Sequence, residues 1–579
     1  MIGGLLKVFF QLVQIFLQLT AKIFLVLLDL TRLYPFHFLG GFLLVIIAHF
    51  IWAGLTLSHL IFIFCGGVVI AILLKAKTFP FLGKNSDKKR IGSGQATARW
   101  SDETDMKSLN LFESEGLLLG KIAKRKGIIS FSSKQKIQPD STLLRFNQDF
   151  SSFEGNLLTV APPGAGKGVG VVIPNLLTYP GSVIVTDPKG ENYAVTALAR
   201  RRMGQGVFCL DPFEICDKKN RAKLNPLDLL DPNEDDLIDD ARTLADSLIL
   251  RPKSEQGNDK YFNDEAVTLL TGLILYVVCE LPEESRHLGE VRTLLTSPAD
   301  ELAFILNMME SSPYAHGIIA RTASSFKQLP ENTSASVLST VKSNTGFLDS
   351  PRVVKSLSKS SFDIRDLKKR GDISIYLVLP TDKLSSYSRL LRLWISTAIR
   401  AILSVQGKPK YRVLFLLDEM AQLGRMDSLR DAVSIVRGYG ATIWTILQDL
   451  SQIKALYPND EWQPFVSSSK VQQYFGVADL ETAKYVSEKL GKKTIEVESI
   501  NEGQSRNYGQ HGGNSTNQGI TKTQQVRPLL HSDEIMRMNR NEQIIFIQGQ
   551  DPILANKIEY FKEAYLQKIA NSNPQHKSV

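Results

Sequence analysis

The sequence predicts an α/β protein: a parallel-type sheet with crossover helices, an inserted all-α domain, and N-terminal transmembrane helices. Three observations predict it. Short apolar runs at 157–160, 183–185 and 207–210 alternate with helical patterns and resume at 373–378, 413–417 and 442–446, as buried parallel strands do. Between these two groups, from about 231 to 354, only helix-period segments occur, including 266–278 and 302–309. Ahead of everything else, residues 33–74 contain no Asp, Glu, Lys or Arg.

That uncharged run is long enough for two helices of about 20 residues each, with the break expected at 54–58. Lys75, Lys77, Lys84, Lys88, Lys89 and Arg90 follow it directly, which by the positive-inside rule leaves the rest of the chain in the cytoplasm. Before it, Lys7, Gln11, Gln14, Gln18, Lys22 and Asp29 draw one polar stripe along an apolar helix. Such a helix lies in the interface or spans against a partner, so the anchor has two or three spans. A cleaved signal peptide fits less well, because the apolar material is too long and small-residue cleavage chemistry is missing.

At 579 residues the chain exceeds one compact domain, and three or four folding units are expected at roughly 100–200 residues each. The net charge of +9 suits a phosphate-bearing partner or an anionic membrane surface, though it is modest for this length. The four cysteines, Cys65, Cys209, Cys216 and Cys279, include no CxxC pair and have no histidine cluster nearby. A disulfide framework and a structural zinc site are therefore not expected, and the usage suits a reducing cytosol.

Three segments carry chemistry. The first, Leu157-Leu-Thr-Val-Ala-Pro-Pro-Gly164-Ala165-Gly166-Lys167-Gly168-Val169-Gly170, reads as strand, glycine-rich turn and helix. Small residues let backbone N–H groups approach phosphates, the helix N-terminus favours anionic charge, and Lys167 reaches the terminal phosphates. It departs from the strict phosphate-loop pattern at Ala161, where glycine belongs, and at Gly168, where Ser or Thr would touch magnesium.

The second, Val413-Leu-Phe-Leu-Leu-Asp418-Glu419, is an apolar strand ending in two carboxylates, the first suited to the magnesium shell and the second to the attacking water. A helix-capping Asp is the bland alternative, and Asp187 after Val183-Ile-Val-Thr is a rival. The paired Asp-Glu supplies both roles. In the third, Thr442-Ile-Trp-Thr-Ile-Leu-Gln448, an amide ends the next strand within reach of a γ-phosphate or water. No triad or metal set involving histidine is readable.

Taken in order, these blocks resemble the TraG/TraD family of type IV secretion coupling proteins, the ATPases of conjugation and effector export. The likeness rests on Ala161-Pro-Pro-Gly-Ala-Gly-Lys-Gly-Val-Gly170, Thr186-Asp-Pro-Lys-Gly-Glu-Asn-Tyr193, Leu416-Leu-Asp-Glu-Met-Ala-Gln-Leu-Gly424, Arg437-Gly-Tyr-Gly440 and Leu447-Gln-Asp-Leu-Ser-Gln452. Glycine at position 168 is usual in that family. The resemblance implies a RecA-like P-loop core, ATP and Mg2+ as cofactors, a homo-hexamer and a central channel for DNA. It implies binding of nucleotide by Gly164, Ala165, Gly166, Lys167, Gly168 and Val169, of metal by Asp418, and catalysis by Glu419 and Gln448, with Arg437 as an arginine finger toward a neighbouring subunit. Expected partners are a relaxase–DNA complex, secreted effector proteins or both, the other secretion-channel components, and the bacterial inner membrane.

The expected organisation is a membrane anchor at 1–75, a linker and the start of the cytoplasmic region at 76–150, and the first part of the nucleotide-binding domain at 151–230. The all-α insertion follows at 231–354, the second part of the nucleotide-binding domain at 355–562 and a short tail at 563–579. Residues 501–525, rich in Gly, Asn, Gln and Ser, are expected to form a long flexible loop. A septal chromosome translocase is the nearest rival, disfavoured by the short route from Lys75 to Gly164. A nucleotide-gated substrate receptor that does not pump is the rival from another class.

Overall fold

A computed structural model of the chain describes residues 96–113, 115–122, 143–146, 155–216, 221–251, 258–506 and 514–574. The expected membrane anchor lies outside the described residues. In chain order the strands are β1 (Leu117–Ile122), β2 (Leu143–Phe146), β3 (Asn156–Val160), β4 (Val183–Thr186), β5 (Gly206–Leu210), β6 (Ile373–Leu377) and β7 (Val413–Leu417). They continue with β8 (Ala441–Leu447), β9 (Ser469–Tyr474), β10 (Lys492–Arg506), β11 (Asn514–Pro528), β12 (Glu542–Ile547) and β13 (Ile553–Asn556).

Strands covered by helices on both faces need apolar side chains at successive positions. Every position of β3, β4, β6, β7 and β8 is buried, and apolar residues dominate each strand, with Asn156, Thr159, Thr186, Ser374, Thr442 and Thr445 the buried polar members. Leu414, Phe415 and Leu416 are wholly buried, each contributing about 1.5–3 kcal/mol.

Eleven strands join in one sheet, in the order β2-β1-β13-β12-β9-β3-β8-β7-β4-β6-β5. The stretch from β9 to β5 is parallel throughout. From β12 to β2 every pairing is antiparallel, so the sheet is mixed rather than parallel-type. The antiparallel wing draws on residues flanking the motif-bearing segments, where the sequence carries no crossover pattern. A buried polar relay stitches the two halves together: Trp444 Nε1 donates to Thr159 Oγ1 at 2.9 Å, and Thr159 Oγ1 donates to Gln473 Oε1 at 2.8 Å. Gln473 Nε2 then donates to the Leu119 carbonyl at 2.8 Å, so each of these buried polar groups is paired.

Around the parallel strands, α1 (Ile173–Thr178) follows the turn after β3, and α2 (Glu191–Arg202) leads from β4 to β5. Between β5 and β6 the described chain forms helices alone, among them α3 (Leu237–Leu248), α4 (Asn258–Glu280), α5 (Ile318–Lys327) and α6 (Glu331–Thr345). By length and composition the span Asp259–Glu280 could cross a membrane, yet it is the packed centre of this layer, with Leu270, Leu273, Ile274 and Val277 fully buried. Gly272 permits its close crossing with α5, since a Cβ there would lie 2.5 Å from Thr322 Cγ2. Helix α7 (Leu384–Ser404) then carries the chain from β6 to β7, with Trp394 fully buried.

Within the segment expected to be a flexible loop, the described residues 501–506 and 514–525 are instead strand. Strands β10 and β11 pair antiparallel in continuous register from Lys492↔Pro528 to Arg506↔Asn514, as a separate two-stranded ribbon. Backbone pairing depends little on side-chain polarity, and Thr494, Ile495, Val497, Thr521, Thr523 and Val526 supply β-branched positions within it.

Candidate functional site

In a sheet of this kind, loops at the C-terminal ends of the parallel strands form the binding crevice where the connections diverge. Strand β3 sits between β9 and β8, and its chain passes over β8 and β7 to reach β4. The turn after β3 therefore opens at such a divergence. Ala161 N–H donates to the Leu447 carbonyl at 3.0 Å, fixing the start of the turn to the end of β8. Gly164 and Gly166 have φ of 74° and 94°, a conformation a side chain would strain. A Cβ at Gly164 or Gly168 would meet nothing within 4 Å, so the backbone there faces open space. Gly168–Val172 forms a π-helical turn, wider than an α-turn, that continues into α1.

Lys167 is buried, and its ammonium donates to the Ala161 carbonyl at 2.8 Å and to the Pro162 carbonyl at 3.4 Å. Burial lowers its pKa, while the carboxylates of Asp418 and Glu419 act in the opposite sense. Asp418, at the end of β7, has its pKa raised to about 6, chiefly by burial and against the pull of Lys167. Thr186 Oγ1 donates to the Asp418 carbonyl at 2.8 Å, and the Glu419 N–H donates to Asp418 Oδ1 at 3.0 Å. Glu419 itself holds a left-handed backbone at φ 52°, unusual for a non-glycine residue, and its carboxylate accepts from the Gln422 amide.

The rival carboxylate, Asp187, is engaged elsewhere. Its oxygens accept the N–H groups of Tyr193 at 2.8 Å and Asn192 at 3.3 Å, at the start of α2. It is the helix-binding carboxylate, and burial raises its pKa to about 7 against those two hydrogen bonds. Asp418 has no such backbone cluster to serve. Gln448 follows β8 directly and so lies beside the turn after β3, its N–H donating to Gln452 Oε1 at 3.1 Å.

Arg437 stands apart. It precedes β8, on the edge of the sheet where the parallel strands begin, whereas Glu419 and Gln448 follow β7 and β8 on the edge where they end. Spacing along the chain suggests one shared edge; the topology puts a strand's length, about 20 Å, between them. Arg437 is exposed, and its carbonyl is gripped at 2.5 Å by the buried Arg412 guanidinium, which also donates to Ala441 and Thr442.

Three residues at this edge add to the predicted set: Lys189 and Gln422 fall inside the quoted sequence blocks, whereas Lys557 carries no local sequence signal. Lys557, just past β13, donates its ammonium to the Ala165 carbonyl at 2.6 Å. Gln422 meets Glu419, and Lys189 lies near enough to act electrostatically on both Lys167 and Asp418. An open glycine cradle, a buried lysine and a carboxylate pair form a donor set that fits a nucleotide phosphate chain with a hard divalent cation.

Comparison with known proteins agrees with this geometry. The sequence profile described as "Type IV secretory system Conjugative DNA transfer" matches residues 99–579. The chain is 30% identical over 440 residues to the type IV secretion system-coupling protein VirD4 of Bartonella quintana, covering 74% of this chain and 66% of that relative. It shares its fold with the plasmid coupling protein TrwB in complex with the ATP analogue ADPNP, at a TM-score of 0.56 and 16% identity over 79% of this chain and 92% of TrwB. TrwB in complex with ADP and Mg2+ superposes with the same TM-score of 0.56 and 16% identity over 82% and 97% of the two chains. The profile spans most of the sequence and every motif-bearing strand: the chain belongs to the type IV secretory system conjugative DNA transfer family, as a coupling protein.

Proposed function

We propose that the chain is a membrane-anchored ring ATPase with a RecA-like motor core, coupling ATP hydrolysis to DNA transfer through a type IV secretion system at the bacterial inner membrane. The observation that carries this reading is the convergence of the glycine turn, Lys167, Asp418 and Glu419 on one sheet edge, with Asp187 diverted to α2. ATP with Mg2+ supplies the transferable phosphoryl group and neutralises its charge. Backbone N–H groups from Gly164 to Val169 bind the phosphates, Lys167 reaches the terminal ones, and Asp418 holds the metal shell. Glu419 takes the proton of the attacking water, which Gln448 orients.

A multi-pass anchor in the inner membrane is supported by the uncharged run at 33–74 and the lysines that follow it. Assembly as a homo-oligomeric ring, a hexamer as the family resemblance implies, suits the place of Arg437, a strand's length from its own subunit's glycine turn. The cargo is DNA, as a relaxase–DNA complex, with secreted effector proteins as an added class.

The test is steady-state ATP hydrolysis by the full chain in detergent, with and without DNA. Multiple turnover stimulated by DNA, with DNA affinity that falls steeply as salt rises, is expected. Nucleotide binding without turnover under every condition contradicts a motor and favours a substrate receptor.

A further inference from the structure

Away from the phosphate-loop edge, the end of β5 and the loop after it bring three potential metal ligands together. Cys209 lies within β5 and Asp211 immediately after it; Cys216 returns on the following loop. The two thiol sulfurs and a carboxylate oxygen of Asp211 all lie within 4.8 Å of one another. The spacing Cys-x-Asp-x4-Cys matches no common zinc signature, which is why the cysteines read as unrelated in the sequence.

Two further features point to a ligand. The Cys216 N–H donates to Asp211 Oδ2 at 2.7 Å and so sets the carboxylate's orientation. The other oxygen, Oδ1, is buried and has no hydrogen-bond partner, on a residue only 2% exposed. A buried carboxylate oxygen left unpaired is unfavourable unless something cationic completes it. We propose that Cys209, Asp211 and Cys216 form a binding site for a thiophilic divalent cation of the zinc class.

Two thiolates and one carboxylate are a ligand set that selects zinc over magnesium or calcium. Zinc–sulfur bonds of about 2.3 Å put tetrahedral ligand atoms about 3.8 Å apart, so the trio needs to close only slightly. On binding, both thiol protons pass to solvent and the sulfurs become metal-bound thiolates. Cys209 is buried and Cys216 half-buried, and a fourth ligand drawn from solvent would complete a tetrahedral set. The position gives the cation a structural consequence. A Cβ on Gly190 would lie 2.8 Å from Cys216 Sγ, so the loop that carries Cys216 packs on the turn between Asp187 and α2. A cation here clips the end of β5 to that turn, one strand connection away from Asp418.

Titration of the reduced full-length chain with Co2+ tests the site. One equivalent should bind with a thiolate-to-cobalt charge-transfer band and the visible bands of a tetrahedral ion. Cys209→Ser and Cys216→Ser should each abolish the charge-transfer signal for that equivalent or weaken binding, and Cys279→Ser should leave both unchanged. Asp211→Asn should weaken Co2+ by about tenfold or more. Should Cys209→Ser fail to fold, Cys216→Ser at its half-buried position decides the matter. Cobalt binding without a thiolate band, binding unaltered in Cys216→Ser, or an unchanged affinity in Asp211→Asn overturns the proposal. So does a Cys209–Cys216 disulfide that forms readily in air while the reduced protein takes up no metal.

Discussion

The Lys557 ammonium donates to the carbonyl of Ala165 at 2.6 Å, joining the end of β13 to the middle of the glycine turn. Burial lowers the pKa of Lys557, and its ammonium also lies over the Phe475 ring, 5.1 Å from the centroid. The contact ties the turn's backbone to the chain after β13 and places a positive charge beside the glycine turn. A charged donor on a carbonyl is worth about 1.5–3 kcal/mol. Lys557→Ala should therefore raise KM for ATP by about tenfold or more with a smaller change in kcat, and Lys557→Arg should recover part of the loss. An unchanged KM in Lys557→Ala contradicts this role.

In the proposed function Lys167 and Glu419 serve different steps. Lys167→Ala should weaken nucleotide binding. Glu419→Gln should bind nucleotide as the wild type does and lose turnover by about 100-fold or more, because the water loses its proton acceptor. Fluorescent-nucleotide titration beside steady-state hydrolysis separates the two effects. Equal loss of binding in both variants contradicts the assignment.

Asp187 gives a pH signature. Its pKa stands at about 7 in the folded chain against an ordinary value of 3.8, because burial outweighs the N–H groups of Tyr193 and Asn192. A carboxyl whose pKa is raised by folding binds more protons when folded. Its stabilising share is complete below the ordinary value and is lost as pH rises through the folded one. The melting temperature of the wild type minus that of Asp187→Asn should therefore fall between about pH 4 and pH 7 and level off above. Asp418 titrates in both proteins and largely cancels from the difference. A pH-independent difference contradicts the buried, raised carboxyl.

How much of this was legible in the sequence depends on the range of each signal. The strands that lead into Lys167, Asp418 and Gln448 are apolar-rich runs followed by a glycine-rich turn or a polar residue, and such runs are local. Lys557 was invisible because its partner lies 392 residues away, in a part of the chain that carries no motif. Asp187 and Asp418 look alike in sequence, each ending an apolar strand. What separates them is the helix start that Asp187 serves, a contact that depends on the turn through Gly190 at φ 68°. The mixed sheet was missed because β1, β2, β12 and β13 come from both ends of the described chain. The edge on which Arg437 lies follows from its place just before Ala441, the first residue of β8, once the parallel register with β7 is known.

That opposite-edge position makes Arg437 the test of a ring motor. Within one subunit Arg437 is a strand's length from the phosphate site, so any catalytic part it plays falls in a neighbour. Arg437→Ala should keep nucleotide binding and lose about 1,000-fold or more in hydrolysis. A Lys167→Ala subunit has a broken cradle and an intact Arg437, and an Arg437→Ala subunit has the reverse. Mixed rings of the two then contain interfaces with both parts whole. The measurement is ATPase rate against mixing ratio, with assembly and subunit exchange verified by size and crosslinking. The account predicts activity that rises from nearly zero in either variant alone to a maximum in the mixture, and no recovery at any ratio would contradict it.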